Sequence, residues 1–300
     1  MQHNSSKSPP ASKSTRPLKL FICATEYHPY GSGIANVAYN VVEHLKELGV
    51  ECIVCSPTGP DIKLGSPKLI ERTGILGMLH YWYLVSRHLK QNDYDAIWLH
   101  NPFITNGDRL KNCLITMHST YHGESLHQVG TTPLLRIYRR FVSCLERLCL
   151  VRMNEDTLYT GAGKPVCGEL ETIGIERERI IYIPNGVDVE RFHPSPHKGL
   201  LREKFGIPED EIILLSVGRL THHKRPRTLI EVFSHLEKGS DNISLYIAGK
   251  GELLGEMEDL AEKGGLHRVR FLGHVDHDRD LPELFACSDY YIMTSKYEGG

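Results

Sequence analysis

Short, unbroken apolar runs alternate with stretches of helical periodicity along most of this chain, and that alternation admits few folds. Leu18-Lys-Leu-Phe-Ile-Cys23 is the first apolar run. A loop follows it, and then Ala35, Ala38, Val41, Val42, Leu45 and Leu48 recur at helical spacing until Gly49 stops the helix. Val50-Glu-Cys-Ile-Val-Cys55 is the next run. Strand, loop, helix and strand in that order are the unit of a parallel sheet with crossover helices. The same pattern predicts a helix over 75–89 and strands over 93–100, 113–118 and 179–183. A second series starts at Ile212, with strands over 212–217, 243–248, 269–272 and 289–293 and helices from Thr228, from Leu253 and from Leu281. The expected class is α/β, with two doubly wound parallel sheets. No closing helix follows the last strand, and parallel sheets need helices on both faces, so the second series reads as incomplete.

A length of 300 residues leaves room for two ordinary domains. Pro184-Asn185-Gly186 is a turn signal, and the stretch to His197 carries Pro194 and Pro196 with little apolar pattern. The expected division is a tail over 1–17, a first domain over 18–190 and a second over 191–300. The tail is rich in Ser, Lys and Pro and lacks the apolar core of a secretory signal. Lys and Arg number 35 against 37 Asp and Glu, and a net charge of −2 argues against a general nucleic-acid binder. Eight cysteines show no secreted-scaffold spacing. Cys52 and Cys55 form a CxxC inside a strand pattern, with no second CxxC or Cys–His motif, which favours a core role over zinc or redox work. Reduced thiols and the lack of a long apolar stretch point to a cytoplasmic protein.

Chemistry concentrates at the ends of the apolar runs. Ile212–Val217 is followed by Gly218, then by Arg219, Lys224, Arg225 and Arg227, then by a helix carrying Leu229, Ile230, Phe233 and Leu236. Cations before a helix start suit an anion, because free backbone N–H groups point the same way. A solvated basic loop is the plainer alternative. Gly31-Ser32-Gly33 opens the first helix and reads either as a phosphate-approach loop or as a plain turn. A full dinucleotide fingerprint would need glycine where Asn36 stands and an acidic residue where Ser56-Pro57-Thr58 stands, which disfavours a nicotinamide-dependent dehydrogenase. His100 and His118 each end a strand, where open α/β sheets bind ligands, although a lone histidine is more often structural. The stretch 133–152 places Leu134, Leu135, Tyr138, Phe141, Val142, Leu145 and Leu148 opposite Arg136, Arg139, Arg140, Arg147 and Arg152. It packs on a core with a solvated cationic face, or it lies on an anionic membrane surface.

From Leu18 onward these residues resemble the retaining, nucleotide-sugar-dependent glycosyltransferases of family 4, which have the GT-B fold. Gly31-Ser-Gly33 resembles the family's N-terminal loop, and Ile183-Pro-Asn-Gly-Val-Asp188 its inter-domain signature. Val217-Gly-Arg-Leu220 with Lys224 is similar to the donor-phosphate motif. Ile247-Ala-Gly-Lys-Gly251 and Val269-Arg-Phe-Leu-Gly-His-Val275 match later blocks in order. Ser295-Lys-Tyr-Glu-Gly-Gly300 looks like the start of a signature with two glutamates, the second of which would fall beyond Gly300. Asp156–Gly168 fits the family's pattern poorly.

The resemblance implies two Rossmann-like domains facing a cleft, the second truncated. It implies that Arg219 and Lys224 bind the donor diphosphate, that Glu298 contacts the transferred sugar and that His118 faces the sugar and acceptor. Gly31, Ser32, Gly33, Gly249, Val275, Gly299 and Gly300 complete the implied donor site. It further implies no metal and no cofactor, a UDP- or GDP-sugar donor, and a glycan or lipid-linked acceptor. Peripheral contact with the cytoplasmic membrane face would run through 133–152. Two other readings stand beside it: a non-catalytic nucleotide-sugar or glycan binder, and a GT-B-like sugar-nucleotide epimerase.

Overall fold

The structure, a computed structural model, describes residues 16–29, 33–127, 132–240, 242–277 and 279–298. The chain runs β1 (Lys19–Cys23), α1 (Gly33–Glu47), β2 (Glu51–Ser56), β3 (Ile62–Lys63), α2 (Pro67–Thr73), α3 (Ile75–Leu89), β4 (Ala96–His100) and β5 (Cys113–Met117). It continues through α4 (Tyr121–Leu126), α5 (Pro133–Val151), β6 (Leu158–Gly161), α6 (Lys164–Ile173) and β7 (Ile180–Tyr182). Then come α7 (Lys198–Lys204), β8 (Ile212–Val217), α8 (Pro226–Glu237), β9 (Ile243–Ala248), α9 (Leu254–Lys263), β10 (Val269–Gly273), α10 (Asp280–Cys287) and β11 (Tyr290–Tyr291). Two compact units result, Met1–Thr120 with Val142–Ile183 and Tyr121–Phe141 with Pro184–Gly300.

The first sheet has seven strands in the order β3-β2-β1-β4-β5-β6-β7, and the second four in the order β10-β9-β8-β11. Every pairing in both is parallel. Strand order reverses between β1 and β4 in one sheet and between β8 and β11 in the other. Such reversal points leave a crevice beyond the strand ends.

Strand alternation explains the two cores of the second unit. Leu214 of β8 and Leu245 and Ile247 of β9 face Leu229, Ile230 and Phe233 of α8 and Met257 and Ala261 of α9. Ile213, Leu215, Tyr246 and Ala248 point the other way, toward Leu284 and Cys287 of α10 and Ile207. In the first sheet Ile22, Val54 and Trp98 pack against Ala38 and Val42 of α1. The expected face of α1 is narrower than its apolar residues suggest, since Val41 and Leu48 are exposed. Cys52 is half-buried and Cys55 buried. Three residues apart on a strand, they project to opposite faces and cannot share one metal.

The expected face of α5 is corrected more strongly. Val142, Ser143, Glu146, Cys149 and Leu150 are its buried residues. Leu134, Leu135, Ile137, Tyr138, Phe141 and Leu148 are exposed. Only the second half of the helix packs on a core. Among the described residues no helix is long and apolar enough to cross a membrane.

Candidate functional site

The reversal point of the second sheet gathers the cationic loop and the last described residues. A 3-10 turn over His222–Lys224 lifts Lys224 out of the loop after β8. Its Nζ lies 2.6 and 2.7 Å from the two carboxylate oxygens of Glu298. The loop is tied to the segment after β11 by backbone and side chain. The Thr294 hydroxyl donates to the carbonyls of Lys224 at 3.2 Å and Arg225 at 3.0 Å, and Lys296 N donates to His223 O at 3.2 Å. Ser216, Gly218, Arg219, Lys224, Thr294 and Ser295 line one small cavity there. Ser295 Oγ is buried with no hydrogen-bond partner among the described residues, a polar group suited to a ligand. Burial, reinforced by the Lys224 charge, lowers the pKa of His223. Lys224 and Arg219 are the cations lining the cavity, and His223 lies outside its lining.

The helix start contributes less to this site than the sequence suggests. Pro226 occupies the first turn of α8 and brings no N–H. Arg225 takes a left-handed φ of 53°, which costs a non-glycine residue roughly 1–2 kcal/mol. Burial of Leu229, Ile230 and Phe233, worth roughly 1.5–3 kcal/mol each, offsets that cost. Arg227 leaves the cluster and pairs with Glu256 of α9. Of the four cations expected together, Arg219 and Lys224 reach the cavity.

Gly249 and Gly251 let two strand-end loops touch. Gly218 N donates to Ala248 O and Leu220 N to Lys250 O, each at 3.0 Å. A Cβ on Gly249 would sit 1.9 Å from Gly218 O, and one on Gly251 2.3 Å from Leu220 O. No residue but glycine fits either position without moving the loop that follows β8. Val275, expected at the donor, is partly buried and packs against the core cluster around Ile213 and Leu284. Gly31, Ser32, Gly299 and Gly300 lie outside the described residues.

In the first unit the structure joins two histidines that the sequence offers singly. His100 ends β4, and His118 follows β5, the neighbouring strand, in which Thr116 is the register partner of His100. His100 Nδ1 and His118 Nε2 are 2.9 Å apart, with rings 5.2 Å apart and tilted by only 14°. Asn101, at a φ of 46°, accepts from the His118 backbone N–H at 3.0 Å. Burial pushes His118 down to about 4. Burial first, and then His118, hold His100 well below the ordinary histidine value. Both rings are neutral at pH 7 and share one hydrogen bond. Gly33 opens α1, and among the described residues nothing beyond its chain neighbours and its own helix backbone lies within 4 Å of where its Cβ would be. His118 and Gly33 belong to one unit, and Glu298, Lys224 and Arg219 to the other.

Sequence reasoning missed Thr294, whose only signal is its place just after the last apolar run, and took Ser295 only as the start of the Glu-Gly-Gly signature, not as a cavity residue. It also missed the partnership of His100 with His118. Among the described residues no group of three or more His, Cys, Asp or Glu side chains could hold a metal ion.

Comparison with known proteins bears on both units. The family described as Glycosyltransferase Family 4 matches residues 31–191, and that described as Glycosyl transferases group 1 matches residues 198–300. An Escherichia coli relative, UDP-Gal:alpha-D-GlcNAc-diphosphoundecaprenol alpha-1,3-galactosyltransferase, is 25% identical over 307 residues, covering 94% of this chain and 75% of its own. Several other curated relatives align over shorter stretches, 30% to 41% of their own length. Among solved structures, WaaG, a glycosyltransferase involved in lipopolysaccharide biosynthesis, superposes with a TM-score of 0.72 at 21% identity, covering 92% of this chain and 75% of that one. HepE from Anabaena, solved with UDP and glucose, superposes with a TM-score of 0.63 at 18% identity, covering 93% and 74%. At these identities the likeness shows the fold, which is GT-B.

Proposed function

The chain belongs to glycosyltransferase family 4, and we propose that it moves a sugar from a UDP- or GDP-sugar to a glycan or lipid-linked acceptor with retention of configuration. The observation that carries the reading is the Lys224–Glu298 pair beside Arg219 at the reversal point of the second sheet. Negative charge grows on the departing nucleoside diphosphate, and fixed cations stabilise charge where it develops. Lys224 and Arg219 take that role in the proposal, with no metal ion. A lysine ammonium has three donors, so Lys224 can meet a phosphate while keeping Glu298. Glu298 then offers carboxylate oxygens to the sugar hydroxyls, and Gly33, at the start of α1, offers an amide to anionic oxygen. His118, neutral at pH 7, meets the sugar by hydrogen bonding rather than as a cation.

A panel of UDP- and GDP-sugars in EDTA-containing buffer tests this. At a hundredfold excess over Kd, binding stabilises by about 2.7 kcal/mol. The melting point should then rise by roughly 5–10 °C for a unit of this size, with acceptor-dependent release of UDP or GDP. If no nucleotide sugar, UDP or GDP raises the melting point, the reading fails. Binding without transfer would point to a glycan or nucleotide binder. Recovery of an epimerised donor would point to an epimerase.

The first half of α5 supports an acceptor presented at a membrane. Leu134, Ile137 and Phe141 are 77%, 67% and 56% exposed, beside exposed Arg136 and Arg140. Apolar side chains flanked by cations suit an anionic bilayer surface. The E. coli relative is named for a diphosphoundecaprenol-linked acceptor. The chain should float with phosphatidylglycerol vesicles and not with neutral ones, and Ile137→Glu should abolish flotation. Equal behaviour on both vesicle types would remove the membrane from the proposal.

A further inference from the structure

The histidine pair constrains where the protons sit. Both rings are neutral, so the contact between His100 Nδ1 and His118 Nε2 holds one proton, carried by one ring or the other. His100 Nε2 is buried and has no hydrogen-bond partner among the described residues. Suppose His118 Nε2 were the donor. His100 Nδ1 would then be the acceptor, and the proton of His100 would have to sit on Nε2. That leaves a buried N–H without an acceptor, a cost of about 1–3 kcal/mol. In the opposite arrangement His100 Nδ1–H donates, and the unmatched group is a lone pair, the better-tolerated orphan. His118 Nε2 then accepts, and its own proton sits on Nδ1.

The surroundings hold this arrangement in place. The Trp98 ring lies 4.4 Å from His100, and its Nε1 donates to Thr116 Oγ1 at 2.8 Å. Thr116 Oγ1 in turn bonds Thr160 Oγ1 at 2.7 Å. The backbone of His118 is held by Asn101, whose own N–H donates to Thr116 O at 3.1 Å. His100 is thus locked in a core layer, and the accessible consequence of its tautomer is the tautomer of His118.

We propose that His100 is a positioning residue that holds the proton of His118 on Nδ1, so that His118 meets a sugar hydroxyl as a hydrogen-bond donor and not as a base. The role toward the sugar rests on the glycosyltransferase reading; the tautomer does not.

Long-range nitrogen–proton NMR spectra of the full chain with 15N-labelled histidine read the tautomer directly at pH 7. Expected is a protonated Nδ1 and an unprotonated Nε2 on both His100 and His118. An Nε2-protonated His118 in the native chain overturns the proposal, whatever the chain's activity. His100→Asn keeps an N–H donor near the Nδ1 position and should preserve both the His118 signature and the transfer rate. His100→Leu removes the donor. The two His118 nitrogen signals should move toward each other, and kcat should fall roughly tenfold, the worth of one hydrogen bond, with the donor KM unchanged. A folded Leu variant with native kcat overturns the positioning role. If the Leu variant does not fold, the native spectrum and the Asn variant still decide. A native chain with the expected signature but no transfer on any donor would sink the glycosyltransferase reading and leave the tautomer standing.

Discussion

Lys224→Ala is expected to lower kcat/KM for sugar transfer by about 100- to 1,000-fold, the loss typical of removing one preorganised charge-stabilising donor. Lys224 stands at the end of the turn His222–Lys224, backed by the Thr294 hydroxyl on its carbonyl. Its ammonium bridges both oxygens of Glu298. The substitution therefore removes a cation from the proposed phosphate site and also frees the carboxylate proposed to hold the sugar. The two residues act as a unit, so the double variant with Glu298→Ala should lose little more than the worse single variant. Arg219→Ala should weaken binding of UDP or GDP and leave the Lys224–Glu298 pair intact. Single-turnover kinetics with nucleotide-sugar donor, and titration with UDP or GDP, separate these effects. Native nucleotide affinity in Lys224→Ala would remove this lysine from the phosphate role.

Arg202→Ala is expected to destabilise the second unit by about 3–5 kcal/mol, the usual cost of breaking a buried ion pair from one side. The Arg202 side chain is only 6% exposed. Its Nε donates to Cys287 O at 3.2 Å. Nη1 donates to the carbonyls of Pro208, Glu209 and Glu211 at 3.2, 2.6 and 2.8 Å. Nη2 meets Asp289 at 2.7 Å, and the same Asp289 oxygen accepts from Ile213 N at 2.7 Å. One guanidinium thus fastens α7, the turn before β8, the end of α10 and the entry to β11. Arg202→Lys keeps the charge but lacks the planar fork, so it should recover only part of the loss. Urea unfolding, together with hydrogen exchange at the Ile213 amide, would measure both variants. An unchanged urea midpoint for Arg202→Ala would refute the assignment. Burial pushes the Asp289 carboxyl up, but the Ile213 amide, Lys198 and Arg202 outweigh it and hold it below the usual range. Its folded pKa lies below its unfolded one, so its contribution is complete at neutral pH. That contribution is lost as the pH falls below about 4 through the folded value.

Much of the fold was legible because it is local. Continuous apolar runs such as Ile212–Val217 and Ile243–Ala248 became strands buried on both faces, and the period over 75–89 became α3 with those same bounds. Short elements were not legible. β3 has two residues, and α2 buries none of its residues, so neither writes a period. α6 does carry one, in Val166, Cys167, Leu170 and Ile173, but Gly161 and Gly163 before it and Pro165 in its first turn read as breakers. α7 is seven residues long, and its key residue is the buried Arg202 rather than an apolar one.

The candidate site divides in the same way. The sequence by itself determined the parallel α/β class, the loops at the strand ends, and Arg219, Lys224, His118 and Glu298 as the residues to watch. Tertiary structure decided their partners. It sent Arg227 to Glu256 and kept Lys224 for Glu298, 74 positions away. It paired His118 with His100 and placed one half of α5 in the core while leaving the apolar residues of the other exposed. The reason is physical. Periodicity reports what each residue does along its own strand or helix, whereas a partner across the sheet is set by strand order and register, which exist only once β4 lies beside β5 and β8 beside β11.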